Sequence, residues 1–230
     1  PRSSKRSWQG ATSGPCPSAS DQVRITISPI ATANAGADQV VCATNAQVQL
    51  AGLVGGSASG GVWSGGAGVF TPGAGALNAT YAPSAGEITA GGVTLTLTSN
   101  DPAGPCDAAS DQVRITINPA ATVDAGPDQA VCASSPLTQL AGVVGGGAAT
   151  GTWSGGAGAF SPRNTALNAT YLPTAAEIAA GGVTLTLTTN DPAGPCLPVN
   201  DQVRITINPA ATANAGADLV VCASSPLAQL

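Results

Sequence analysis

Histidine is absent from the 230-residue chain, and lysine occurs once, at Lys5. Without imidazole, Ser-His-Asp triads, Cys-His nucleophile pairs and His-rich zinc sites are excluded within these residues. With a single lysine near one end, Lys-Asn isopeptide cross-links cannot staple the rest of the chain. Glu87 and Glu177 are the only glutamates, and a lone carboxylate lacks the partner that general acid catalysis requires. No enzyme activity, catalytic residue or cofactor is expected. Charged residues make up only 8% of the chain, and the net charge is −5. A nucleic-acid surface needs a basic stripe, whereas the repeats offer isolated arginines (Arg24, Arg114, Arg163, Arg204) and Arg2, Lys5 and Arg6 read as a solvated tail, so no nucleic-acid partner is expected. No apolar run approaches the ~20 residues of a membrane span, and no signal-peptide core precedes the patterned region. Aromatics are 3%, so any core must be built mainly from Val, Leu, Ile and Ala.

What is present is a repeat. Asp-Gln-Val-Arg-Ile-Thr-Ile begins at Asp21, Asp111 and Asp201, a period of ninety residues. Val, Ile and Ile alternate with Gln, Arg and Thr, the period of a half-buried strand. Strict alternation recurs in Val93-Thr-Leu-Thr-Leu-Thr98 and its copy at 183–188. A proline follows each closing strand (Pro29, Pro119, Pro209) and stops pairing there, which marks domain junctions. The expected organisation is a leader plus the closing strand of a partial repeat at 1–30, complete repeats at 31–120 and 121–210, and the start of a further repeat at 211–230. Within each repeat, strands are expected at 38–42 and 48–54, around Trp63, at Phe70, at 77–81 and at 93–98, with one helical turn before the last hairpin. The second repeat should match at 128–132, 137–144, Trp153, Phe160, 167–171 and 183–188. Roughly seven short strands per ninety residues describe an all-β sandwich.

The combination Asn/Asp-Ala-Gly-x-Asp-Gln-x-Val-Cys-Ala, Trp-Ser-Gly-Gly-Ala-Gly, Ala-Leu-Asn-Ala-Thr-Tyr-x-Pro and Val-Thr-Leu-Thr-Leu-Thr resembles immunoglobulin-like, PKD-like repeats. These belong to very large secreted surface proteins and adhesins of Bacteroidota-type bacteria. The resemblance covers residues 14–230 and leaves 1–13 outside. It implies tandem immunoglobulin-like β-sandwiches in an extracellular or cell-surface, bacterial, structural or adhesive stalk. It brings no catalytic residues and no agreed ligand.

Cys16, Cys42, Cys106, Cys132, Cys196 and Cys222 alternate at spacings of 26 and 64 residues, an even count suited to disulfides in a secreted chain. No Cys-x-x-Cys motif supports a metal. Pairing at the 64-residue spacing gives Cys42–Cys106 and Cys132–Cys196, leaving Cys16 and Cys222 for neighbouring units. If the strands simply alternate up and down, the first turn and last hairpin lie at opposite ends, and Cys42 faces Cys196 instead. Asp38, Asp101, Asp107, Asp124, Asp128, Asp191 and Asp218 gather near the junctions. No Asp-x-Asp-x-Asp-Gly loop accompanies them, so they read as turn formers and no metal site is assigned. Asn78 and Asn168 each fit the Asn-x-Thr glycosylation pattern.

Residues 21–27, with Asp21 followed by apolar Val23, Ile25 and Ile27, form an assembly strand that lacks its own sandwich. Its backbone groups and apolar face need a partner. A longer chain is the expectation for the C-terminal end, while donation to a neighbouring copy stays open for the N-terminal strand. The expected role is a fibre, stalk or adhesin shaft of disulfide-stapled repeats, its partners being further copies or further repeats, head to tail. The alternative is a glycan- or surface-binding adhesion module. Trp63 and Trp153 discriminate: burial favours the shaft, and an open groove favours binding.

Overall fold

The computed structural model describes residues 2–9, 20–100, 106–190, 192, 194–218, 220 and 222–224. The expectations placed on Cys16, Asp101 and Asp191 lie outside them. A hairpin comes first, β1 (Arg2–Gln9) with β2 (Ser20–Ile27). The first repeat follows as β3 (Thr32–Asn34), β4 (Gln39–Cys42), β5 (Val48–Gln49), β6 (Leu53–Gly55), β7 (Gly61–Ser64), β8 (Val69–Thr71), β9 (Thr80–Ala82), α1 (Ala85–Ala90), β10 (Gly92–Ser99) and β11 (Ser110–Asn118). The second contains β12 (Ala121–Asp124), β13 (Gln129–Cys132), β14 (Thr138–Gln139), β15 (Val143–Gly146), β16 (Gly151–Ser154), β17 (Ala159–Ser161), β18 (Thr170–Leu172), α2 (Ala175–Ala179), β19 (Gly182–Thr189) and β20 (Asn200–Asn208). The chain divides into two compact units, Pro1–Ala121 with Asp191–Leu197 and Thr122–Asn190 with Pro198–Leu230.

Each repeat forms the same sheets. In the first they are β4-β11-β10-β7, β5-β9-β8 and β3-β6; in the second, β13-β20-β19-β16, β14-β18-β17 and β12-β15. The pairing of β4 with β11 is parallel, with Cys42 in register with Asn118. The stretch 48–54, read as one strand, is two. Val48–Gln49 pairs with β9, whereas Leu53–Gly55 pairs with β3. The break falls at Gly52, where an added Cβ would come 2.7 Å from Trp63 Cζ2. The ring takes the space that a side chain on a continuous strand would need.

The alternating patterns carry the core. Along β10, Leu95 and Leu97 are buried while Thr94 is exposed and Thr96 and Thr98 are half-buried. Val113, Ile115 and Ile117 of β11 meet them, and Trp63, Tyr81, Val48 and Leu50 complete the cluster. The second core holds Trp153, Tyr171, Leu140, Leu185, Leu187, Val203, Ile205 and Ile207. With few aromatics, one tryptophan per repeat fills the largest volume, and its Nε1 donates at 3.2 Å to the Leu77 or Leu167 carbonyl. The fold is an all-β, immunoglobulin-like β-sandwich built on the ninety-residue repeat.

Candidate functional site

The lone glutamate of each repeat is structural. Ser84 is the N-cap of α1, and Glu87 closes a capping box by accepting from the Ser84 backbone N–H at 2.7 Å. The same carboxylate accepts from Tyr81 Oη at 2.8 Å and from the Ala67 N–H at 2.8 Å, joining helix, core strand and glycine turn. Glu177 repeats this with Thr174, Tyr171 and Ala157. Glycine is required in that turn: Gly66 has φ +78, and a Cβ there would lie 2.2 Å from Tyr81 Oη. A lone carboxylate in a helical turn is consistent with a cap; its tyrosine partner was not anticipated. The signal was the six-residue Tyr-to-Glu spacing kept in both repeats.

This network sets a pH window. Burial pushes Glu87 and Glu177 up, but hydrogen bonds from the cap and turn N–H groups and from tyrosine outweigh it and hold both below the ordinary glutamate value. Burial first, and the hydrogen bond to glutamate second, push Tyr81 and Tyr171 up to about 12. The carboxylate contribution is present above the unfolded glutamate pKa and is lost as pH falls through the lowered folded value. The tyrosine contribution is present below the unfolded pKa of about 10 and is lost as pH rises to about 12. Thermal melts across pH should show a plateau between these limits. The double substitution Tyr81→Phe and Tyr171→Phe should remove most of the alkaline fall and cost about 1–3 kcal/mol per site at neutral pH.

The cysteines pair differently from the 64-residue expectation. Cys42 is bonded to Cys196, across 154 residues of sequence and with Cα atoms 5.0 Å apart. Cys106, Cys132 and Cys222 are thiols. Cys42–Cys106 and Cys132–Cys196 are therefore corrected, and the reason is strand direction. Because β4 and β11 run parallel, Cys42 lies beside Asn118 at the end of β11. Cys106 precedes the start of that nine-residue strand, which spans about 30 Å, far beyond the ~7 Å Cα separation a disulfide tolerates. Cys196 instead brings its sulfur within 3.5 Å of the Asn118 and Pro119 carbonyl oxygens. Cys42 facing Cys196, the outcome of strands that alternate up and down, is the arrangement found.

The strand β2 has the sequence of β11 but not its surroundings. Val23, Ile25 and Ile27 are 57, 50 and 64% exposed, whereas their counterparts Val113, Ile115 and Ile117 are at most 2% exposed. β1 pairs with β2 antiparallel, as β10 pairs with β11. Its register sets Arg2, Ser4 and Arg6 against Ile27, Ile25 and Val23, where β10 sets Val93 and Leu95 against Ile115 and Val113. Asp21 is exposed, and its Oδ1 accepts from the Gln22 N–H at 2.7 Å. The apolar face of β2 is left in solvent.

Asn78 and Asn168 are exposed. Asp38 and Asp128 accept from the Arg114 and Arg204 backbone N–H groups at 2.8 Å, and Asp124 accepts from the Gly126 N–H at 2.8 Å in an Asx turn. Among the described residues no three His, Cys, Asp or Glu side chains gather as a metal site. No helix among them is long and apolar enough to cross a membrane. Trp63 and Trp153 are 2 and 0% exposed, so neither lines a groove.

No protein-family model matches the chain, and no curated protein matches it. Among solved structures, mouse cadherin-23 domains EC22–24 match with a TM-score of 0.44 at 13% identity, over 79% of this chain and 67% of that one. The insect immune protein hemolin matches with a TM-score of 0.48 at 8% identity, over 76% of this chain and 46% of that one. Immunoglobulin domains 1–4 of Sidekick-1 match with a TM-score of 0.47 at 10% identity, over 87% of this chain and 57% of that one. The fold assignment rests on the chain's own strand order and buried residues.

Proposed function

We propose that the chain is a segment of an extracellular fibre, stalk or adhesin shaft at a bacterial cell surface, built from Ig-like repeats 31–120 and 121–210 joined head to tail. One observation carries the reading: a disulfide connects a cysteine of one repeat to a cysteine of the next. A bond within each repeat would stabilise independent domains, whereas a bond from repeat to repeat adds a second covalent tie between them. The buried tryptophans support the same reading, since they spend the largest apolar surface on the core instead of on a ligand. The exposed apolar face of β2 is the assembly strand, its partner being a further repeat or a further copy. The likeness of the repeat motifs to Bacteroidota-type surface proteins supports the bacterial setting.

A glycan- or surface-binding adhesion module is the second reading. It is favoured by an open cavity of about 400 Å³ lined by Thr44, Asn45, Gln47, Pro83 and Ile88 among others. That cavity holds no aromatic side chain on which a sugar ring would stack. Sedimentation of the purified chain under non-reducing conditions separates the readings. The shaft reading expects association that grows with concentration and weakens when Ile25→Asp places a charge on the apolar face. A monodisperse monomer that retains a glycan would reverse the ranking.

A further inference from the structure

The bridge Cys42–Cys196 follows a rule that the unpaired cysteines also satisfy by position. Cys42 ends a strand parallel to the last strand of its repeat, in register with Asn118. Cys132 ends β13 in the same way, in register with Asn208, and it is an exposed thiol. Thr44 Oγ1 donates to Cys42 Sγ at 3.3 Å, and Ser134 Oγ lies 3.1 Å from Cys132 Sγ. The Ser134 hydroxyl, followed by its backbone N–H, holds the Cys132 thiol below its ordinary pKa, which raises the fraction of reactive thiolate. Cys106 stands where Cys196 stands, ninety residues earlier. Its thiol donates to the Ser28 carbonyl at 3.8 Å, as the Cys196 sulfur lies 3.5 Å from the Asn118 carbonyl. Each thiol thus has the neighbours of a bridged cysteine and lacks only the opposite half.

We propose that Cys132 and Cys106 are the two complementary ends of a repeat-to-repeat disulfide link. Cys132 bonds a cysteine placed like Cys196 in another ninety-residue repeat, and Cys106 bonds one placed like Cys42. This rests on the head-to-tail reading above and specifies its covalent chemistry. The six cysteines form two classes, Cys42, Cys132 and Cys222 in one and Cys16, Cys106 and Cys196 in the other, and every bond joins one class to the other. The oxidant is a low-molecular-weight disulfide such as oxidised glutathione. The Cys132 thiolate attacks one of its sulfurs and expels one glutathione thiolate. The partner thiolate then attacks the Cys132 sulfur of the mixed disulfide and expels the second. Two protein thiols lose two electrons and two protons, and one oxidised glutathione becomes two reduced ones.

The test uses the purified chain, reduced and then equilibrated with reduced and oxidised glutathione, where a second copy is the only source of another repeat. Non-reducing electrophoresis and mass spectrometry of unreduced peptides should show multimers that collapse in reductant. Their intermolecular bonds should join Cys132 or Cys222 to Cys106 or Cys16. The double variant Cys132→Ser, Cys222→Ser should keep Cys42–Cys196 and form no intermolecular bond. Bonds within a class, a Cys106–Cys132 bond inside one chain, or free thiols at both while Cys42–Cys196 is oxidised would each overturn the proposal. In native material, cross-class bonds whose reduction releases 22 kDa chains identify separate copies as the source, and bonds retained within a larger polypeptide identify further repeats. Filaments that persist in reductant with these thiols free would keep the shaft reading and sink the link. Cross-class bonds in particles that never elongate would do the reverse.

Discussion

Replacing Trp153 by alanine is expected to lower the stability of the second sandwich by about 3–5 kcal/mol, measured by denaturant unfolding. The ring is 0% exposed and packs with Leu140, Leu185, Leu187 and Val203. Its Cζ2 lies so close to the backbone of Gly142 that an added Cβ there would stand 2.8 Å away. The void left by truncation is walled by strands of the hydrogen-bonded sheets, so the site cannot collapse to refill it. Truncation also leaves the Leu167 carbonyl without its indole donor, which adds to the loss. Trp153→Phe should cost less, since it keeps most of the ring and loses the hydrogen bond. The experiment bears on function as well as folding. A Trp153→Ala chain of normal stability that had lost binding to a glycan would show that the tryptophan serves a ligand, and the two functional readings would exchange places.

The strands that fix the sandwich were legible because alternation is a local property of the chain. In Val-Thr-Leu-Thr-Leu-Thr and Asp-Gln-Val-Arg-Ile-Thr-Ile the buried and exposed sets follow from a period of two, whatever the strands pair with. The helical turn before the last hairpin was legible for the same reason, since a glycine pair ends it. What could not be read locally was direction and partnership. Nothing in Gln-Val-Val-Cys says that it lies parallel to a strand seventy-six residues later, with Gln39 in register with Ile115. That direction decides which cysteine Cys42 meets. The split of 48–54 depended on a tryptophan ring arriving from another strand. The hydroxyl of Tyr81 shares a carboxylate with a helix cap, which required three segments to be placed together. β2 shows the converse: its sequence is that of a core strand, yet Val23, Ile25 and Ile27 are exposed.

The bridge makes a mechanical prediction that depends only on covalent connectivity. When the chain is pulled from its two ends, force passes from Cys42 through the sulfur pair to Cys196 and bypasses the residues between them. Those residues hold β5 through β19, and with them both tryptophans and most of both cores. While the bond is intact, the residues between the two cysteines add no contour length, and the array lengthens only through segments outside the bridge. Reduction returns them to the load path. An unfolded segment spans at most ~3.3–3.6 Å per residue, so a separation of 154 residues corresponds to roughly 500–550 Å of added contour length. β20, which carries Val203, Ile205 and Ile207 of the second core, lies outside the bridge and stays in the load path, so the bond limits extension without shielding that sandwich from tension.

Single-molecule force spectroscopy of the chain, held at its ends and measured first without and then with reductant, tests the central claim most directly. The account predicts that the gain of roughly 500 Å appears only after reduction, and that Cys42→Ser shows it without reductant. Unfolding of the full chain length in the oxidised protein, with no change on reduction, would contradict it.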